Sequence, residues 1–239
     1  IKEDDLPGAR DKLLYMMQYY PSSEKYGEAK RILGEINADL LLSDGPGPGK
    51  YEYVITRGDF LSVLARKHQC TIDYIFRANS KTNHFVHIGD KVWVAPLLFA
   101  IEANLGARTL TVYRVETVEP DPTAEVGGGE EQPTKKEVIF KEYRISDVNL
   151  PPTVRVPYNT KVNSKPAWLG TKRATFENPD YHRAQKWLQT SKIGLAIKVV
   201  PANMDEASED EAMGILMSAS DMNELFTYIR PGAPLRLTN

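Results

Sequence analysis

The sequence predicts an α+β multidomain chain: an N-terminal helical hairpin (1–43), a small βααβ unit (51–97) and a mostly-β C-terminal region (98–239). Three observations predict it. Before residue 43, apolar residues recur at three- and four-residue spacing, the mark of helices with one buried stripe. The linker 44–50 alternates Gly and Pro from Gly45 to Gly49, and such a run defeats both helix and sheet. Beyond residue 98, short alternating apolar segments replace the helical stripes. A length of 239 residues fits two or three such units.

The first helix carries Leu13, Leu14, Met17 and Tyr20. Pro21-Ser22-Ser23 breaks it, and Ser22 or Ser23 is expected to N-cap the second. The second helix sets Tyr26, Ala29, Leu33, Ile36 and Leu40 along one stripe. A lone helical hairpin cannot bury its own stripe, so it is expected to dock on the rest of the chain, or else on a protein partner.

Composition excludes several classes. Formal charge is −2, so bulk electrostatics give no case for nucleic acid. The single cysteine, Cys70, allows no intrachain disulfide and is expected to pack as a small hydrophobe. No apolar run reaches the length of a membrane span. The chain opens at Ile1, and a removed upstream piece, a signal sequence or lipoprotein anchor, is expected.

In the βααβ unit, Tyr53 and Val54 begin a strand that runs into a Gly58-Asp59 turn. Leu61, Leu64 and Ala65 line one helix at i, i+3 and i+4, and Ile72, Ile75 and Phe76 line a second. Gly89-Asp90 then precedes a closing strand with Val92 and Val94, which Pro96 ends. This segment resembles a LysM domain, a module that grips N-acetylglucosamine-containing glycans such as peptidoglycan. The resemblance implies a shallow groove between two loops. The first loop holds Gly58, Asp59, Phe60 and Leu61, and the second runs from Asn79 and Ser80 to Ile88. Phe60 departs from the small hydroxyl residue common after Gly-Asp, so its ring either stacks on a sugar or blocks the groove. On the residues alone, Gly58 supplies a turn conformation that a β-carbon resists, Asp59 N-caps the first helix, and Leu61 and Asn79 build the fold. His84 and His87 share a loop without further ligands, so no metal site is expected.

After Leu98, Phe99–Leu105 and Thr109–Tyr113 read as paired strands and Val138–Ile145 as a third. Between them lies an acidic insertion, 116–136. From Glu116 to Gln132 it carries six carboxylates and no Lys or Arg, which reads as a solvated loop or a long hairpin tip. The order of elements resembles an L,D-transpeptidase catalytic domain, through Thr160–Trp168, Gly194–Lys198, Met217–Phe226 and Pro231–Leu237. That family implies a cysteine nucleophile activated by histidine. Here the resemblance places Gly214 at the nucleophile, Ala212 at the motif histidine, Leu216 at the arginine and Lys198 at the upstream histidine. Ser208, Ser218 and Ser220 lie nearby, but the one C-terminal histidine, His182, is distant in sequence. Trp168 is expected in the core or near the former active site, Trp187 on a short helix or turn, and Trp93 in the closing LysM strand.

The expectation is a non-catalytic binder of peptidoglycan or a chitin-like glycan, outside the cytoplasmic membrane, with no cofactor. A remnant pocket either holds peptide stems uncut or is filled by side chains, and apolar Leu216 at the arginine position favours the filled pocket. Two alternatives stay open: an L,D-transpeptidase-like enzyme with an unrecognised nucleophile, and an interaction scaffold acting through the helical hairpin.

Overall fold

The computed structural model describes residues 5–81, 85–118, 134–204 and 208–239. The hairpin is α1 (Leu6–Tyr19) and α2 (Tyr26–Leu42). Asp5 caps α1 by accepting from the Gly8 amide at 2.9 Å. Neither expected serine caps α2: Lys25 occupies that position without a side-chain bond, because Ser23 Oγ instead accepts from the Lys25 amide at 3.2 Å inside the turn. The apolar stripe of α2 is buried from Ala29 through Leu33 and Ile36 to Leu40.

The βααβ unit follows as β1 (Tyr51–Val54), α3 (Leu61–Lys67), α4 (Ile72–Ala78) and β2 (Lys91–Val94). Its two strands pair antiparallel, Tyr51 opposite Val94 and Val54 opposite Lys91. Thr71 N-caps α4, accepting from the Tyr74 amide at 3.0 Å.

The C-terminal strands are β3 (Phe99–Asn104), β4 (Thr109–Val118), β5 (Thr134–Arg144), β6 (Asp147–Asn149), β7 (Tyr158–Ser164), β8 (Ala167–Leu169), β9 (Lys172–Ala174), β10 (Gln185–Lys186) and β11 (Leu188–Thr190). Then come β12 (Ala196–Val199), α5 (Glu209–Ala212), β13 (Gly214–Met217), α6 (Ala219–Tyr228) and β14 (Pro234–Thr238). Nine strands form one sheet in the order β5-β4-β3-β14-β7-β11-β12-β13-β6, and β10-β8-β9 form a small second sheet. Two of the pairings in the large sheet are parallel, β14 with β3 and β12 with β13. The β4–β5 ladder runs to Val118 opposite Thr134, so Glu116–Val118 and Thr134–Lys136 are strand rather than insertion. Of the insertion, 119–133 lies outside the described residues.

One continuous apolar core joins the βααβ unit to the large sheet. It includes Leu64, Tyr74 and Ile75 from the first and Phe226, Tyr228 and Leu235 from the second. Phe99, Phe140 and Tyr228 meet with ring centroids 4.8–5.3 Å apart, in tilted and edge geometries favoured by aromatic quadrupoles. The hairpin docks within the chain, through α2 on β5. Asn37 Nδ2 donates to the Phe140 carbonyl at 2.8 Å, and Lys141 Nζ pairs with Glu35 at 2.8 Å and with Glu224 of α6 at 2.7 Å. The outer helix α1 buries only Ala9 and leaves Tyr15, Tyr19 and the following Tyr20 exposed.

Candidate functional site

Two loops meet at the Val54–Lys91 end of β1 and β2. They are joined by backbone bonds, Ile55 N to Asp90 O at 2.8 Å and Gly89 N to Ile55 O at 2.9 Å. Gly58 sits at φ +91°, a left-handed conformation that strains any residue with a β-carbon. Asp59 does not cap α3. Phe60 holds that position in extended conformation, and no side chain caps it. Asp59 Oδ2 instead accepts from the Thr56 amide and hydroxyl, both at 2.8 Å, and from Tyr53 Oη at 2.9 Å. The Thr56 bonds hold its carboxyl below the usual range. Lys67 Nζ donates to Tyr53 Oη at 3.0 Å and lies 4.6 Å from that ring, completing a closed network.

In the second loop, Asn79 turns inward. Its amide donates to the carbonyls of Ile75 at 2.8 Å and Trp93 at 3.0 Å, and accepts from the Trp93 amide at 2.6 Å. Leu61 is likewise buried, and Ser80 is exposed at φ +49°. Beside the exposed polar Arg57, Ser80 and His87, three large apolar side chains face solvent: Phe60 is 67% exposed, Ile88 71% and Phe85 61%. Asp59 and Asn79 are consumed inside the loops, while three large apolar side chains stand out of the surface as an exposed rim. Phe85 was not singled out from sequence, although a large aromatic in a polar loop is itself a signal. His84 lies outside the described residues, and among those described no cluster of three or more ligating side chains could hold a metal. Cys70 is buried, and burial pushes its thiol up to about 12, far from a reactive thiolate.

In the C-terminal sheet, parallel pairing sets Lys198 of β12 opposite Leu216 of β13. Leu216 is fully buried. Gly214 has φ +124°, and a β-carbon there would lie 2.4 Å from the Ala196 carbonyl oxygen. Ala212 ends α5, half-buried. Lys198 is also buried; its Nζ donates to the Asp210 carbonyl and lies 4.3 Å from the Trp187 ring, and burial pulls its pKa down. Of these four residues Lys198 borders a cleft of about 440 Å³, walled also by Gln185, Trp187, Glu211 and Ala219, whereas Ala212, Gly214 and Leu216 do not line it. Trp187 is not helical; it occupies extended chain between β10 and β11, its amide donating to the Pro166 carbonyl at 3.0 Å. It packs 5.9 Å from Trp168.

The nearby serines are bound into local caps. Ser218 Oγ accepts from the Asp221 amide at 3.1 Å and pairs with Ser220 Oγ at 2.9 Å, while Ser208 Oγ donates to Glu211 at 3.0 Å. His182 is exposed and pairs with the Pro179 carbonyl at 3.1 Å. Among the described residues, no serine hydroxyl bonds a histidine ring.

A protein-family model described as LysM domain matches residues 53–95. No curated protein matches the chain. Among solved structures, a mutant of the Enterococcus faecium L,D-transpeptidase is 15% identical over 64% of this chain and 57% of that one, with a TM-score of 0.33. Bd1075 of Bdellovibrio bacteriovorus is 12% identical over 59% of this chain and 47% of that one, with a TM-score of 0.34. The chain thus spans about half the length of those two proteins. The matched segment contains both loops, the inward Asn79 and the apolar rim: residues 53–95 are a LysM domain, set on a larger α+β chain.

Proposed function

We propose that this protein binds an N-acetylglucosamine-containing glycan, of peptidoglycan or chitin type, through the LysM rim, and performs no transpeptidase chemistry. The carrying observation is the exposed apolar trio Phe60, Phe85 and Ile88 on loops whose Asp59 and Asn79 side chains are turned to internal bonds. A pyranose ring offers an apolar face to such side chains. Phe60 stands clear of the core, which favours stacking over blocking. This assigns the protein to the cell wall, outside the cytoplasmic membrane. Among the described residues no helix is long and apolar enough to cross a membrane.

The non-catalytic reading rests on Gly214. The position that family resemblance gives to the nucleophile has no room for a side chain, and the chain's one cysteine lies in the LysM core. A thiolate or an activated hydroxyl beside a base is the minimum for acyl transfer. The cleft stays open beside Lys198 and Trp187, which favours a pocket that holds a ligand uncut over a filled one.

Co-sedimentation with purified peptidoglycan sacculi tests both parts. The parent is expected to pellet. Phe60→Ala/Ile88→Ala, two exposed positions, is expected to weaken pelleting by about tenfold or more, equivalent to roughly 1.4 kcal/mol. Release of D-amino acid from tetrapeptide stems by the purified parent would overturn the non-catalytic reading. Equal pelleting by parent and double variant would remove the rim from the account.

A further inference from the structure

We infer a second binding site, for a short acidic peptide, in the groove where the large sheet meets the chain leaving the LysM domain. The groove encloses about 610 Å³. Its floor is apolar, with Leu98, Phe99, Val115 and Pro231 among its residues, and Leu98 is 40% exposed. Three charged side chains line it: Lys135, Glu137 and Arg230. Glu137 is already engaged, because its two oxygens accept from Arg236 Nη1 at 2.8 Å and Nη2 at 2.6 Å. Lys135 and Arg230 make no ion pair and no side-chain hydrogen bond among the described residues.

The groove therefore sets two cations beside an apolar floor, one on β5 and one between α6 and β14, and neither has an ion-pair partner among the described residues. A guanidinium fork matches a carboxylate bidentately, and a flexible ammonium takes a second one as a point charge. Small apolar side chains between two carboxylates fit the floor. An inorganic anion would leave the floor unused, and two cations on a chain of net charge −2 are too few for a nucleic acid. The site does not depend on the glycan reading. The rim lies at the Val54–Lys91 end of the LysM strands, whereas the groove begins at Leu97, beyond their Tyr51–Val94 end.

Fluorescence anisotropy of a labelled Ala-Glu-Ala-Glu-Ala peptide with the full chain tests the site, with Ala-Gln-Ala-Gln-Ala as the neutral control. The acidic peptide is expected to bind saturably and the neutral one not to. Lys135→Glu, at an exposed position that leaves folding intact, and Arg230→Gln are each expected to weaken binding by about tenfold, and added salt to weaken it further. Absence of saturable binding, equal binding of both peptides, or an unchanged affinity in Lys135→Glu would overturn the proposal. The strands that line the groove lead into 119–133, which carries five carboxylates in sequence. Binding that appears only after those five are changed to amides would make the chain's own acidic segment the occupant, and would also overturn it.

Discussion

Gly214 is the residue on which the catalytic question turns. Its backbone is left-handed, and the Ala196 carbonyl fills the space a side chain would need. Gly214→Cys is therefore expected to destabilise the fold. Backbone strain and overlap together cost about 2–4 kcal/mol, read as a lower urea midpoint, with no gain of peptide-stem turnover. Sequence alone shows a glycine at 214, but not that a side chain there would have no room. Gly58 was legible because a turn between a strand and a helix demands a particular backbone. Asp59 was misread as a cap because the Tyr53 hydroxyl, six residues back, competes for it together with Thr56. That competition depends on how the strand returns past the turn, which no local pattern encodes.

Among elements, the hairpin, β5 and α6 are held by Lys141. Burial pulls its pKa down, and hydrogen bonds to Glu224 and Glu35 more than restore it, for a net upward shift. Lys141→Met leaves Glu224, only 19% exposed, without a cation, and is expected to cost about 3 kcal/mol. Glu35→Gln, by contrast, removes a partner that is 56% exposed and is expected to cost less than about 1 kcal/mol. Urea unfolding of the two variants checks the ratio. The α2 stripe could be read from spacing because one of its faces is buried against β5. The outer ends of β4 and β5 could not. Where a two-stranded ribbon is wet on both faces it needs no apolar alternation, and here its cross-strand neighbours are polar, with Glu116 opposite Lys136. Trp187 was misplaced for a related reason: β10 and β11 are two and three residues long, too short to show a period.

At the scale of the whole molecule, the LysM domain is fused to the sheet. Thr71 Oγ1 donates to the Thr227 carbonyl, Tyr181 Oη donates to Asp73 at 3.0 Å, and Lys186 pairs with the same carboxylate at 3.7 Å. Lys165 donates to the Phe226 carbonyl at this joint, with its Nζ 4.2 Å from the Phe226 ring. Burial pulls its pKa from an ordinary 10.5 down to about 8; Asp73 acts against that shift and Lys186 with it. Between those values the unfolded chain binds more protons than the folded one, so stability rises as pH climbs from about 8. The buried phenols of Tyr143, Tyr181 and Tyr228 are all raised above 10.0, so stability falls again once the unfolded chain ionises its tyrosines. Cys70, raised from an ordinary 9.0 to about 12, offsets the Lys165 rise from about pH 9. Unfolding midpoints are thus expected to climb between about pH 8 and 9 and to fall above about 10, and Lys165→Met to flatten the rising limb.

The joint has one further consequence. Ala95 and Leu97 are buried, and Leu97 N is bonded to Gln69 O at 2.9 Å, so no slack chain separates the rim from the sheet. Under the proposed function, a glycan strand of the wall gripped at Phe60 and Ile88 would hold the remaining domain at one bearing. A pull on the wall would then reach the sheet as torque through a stiff arm, not as tension along a tether.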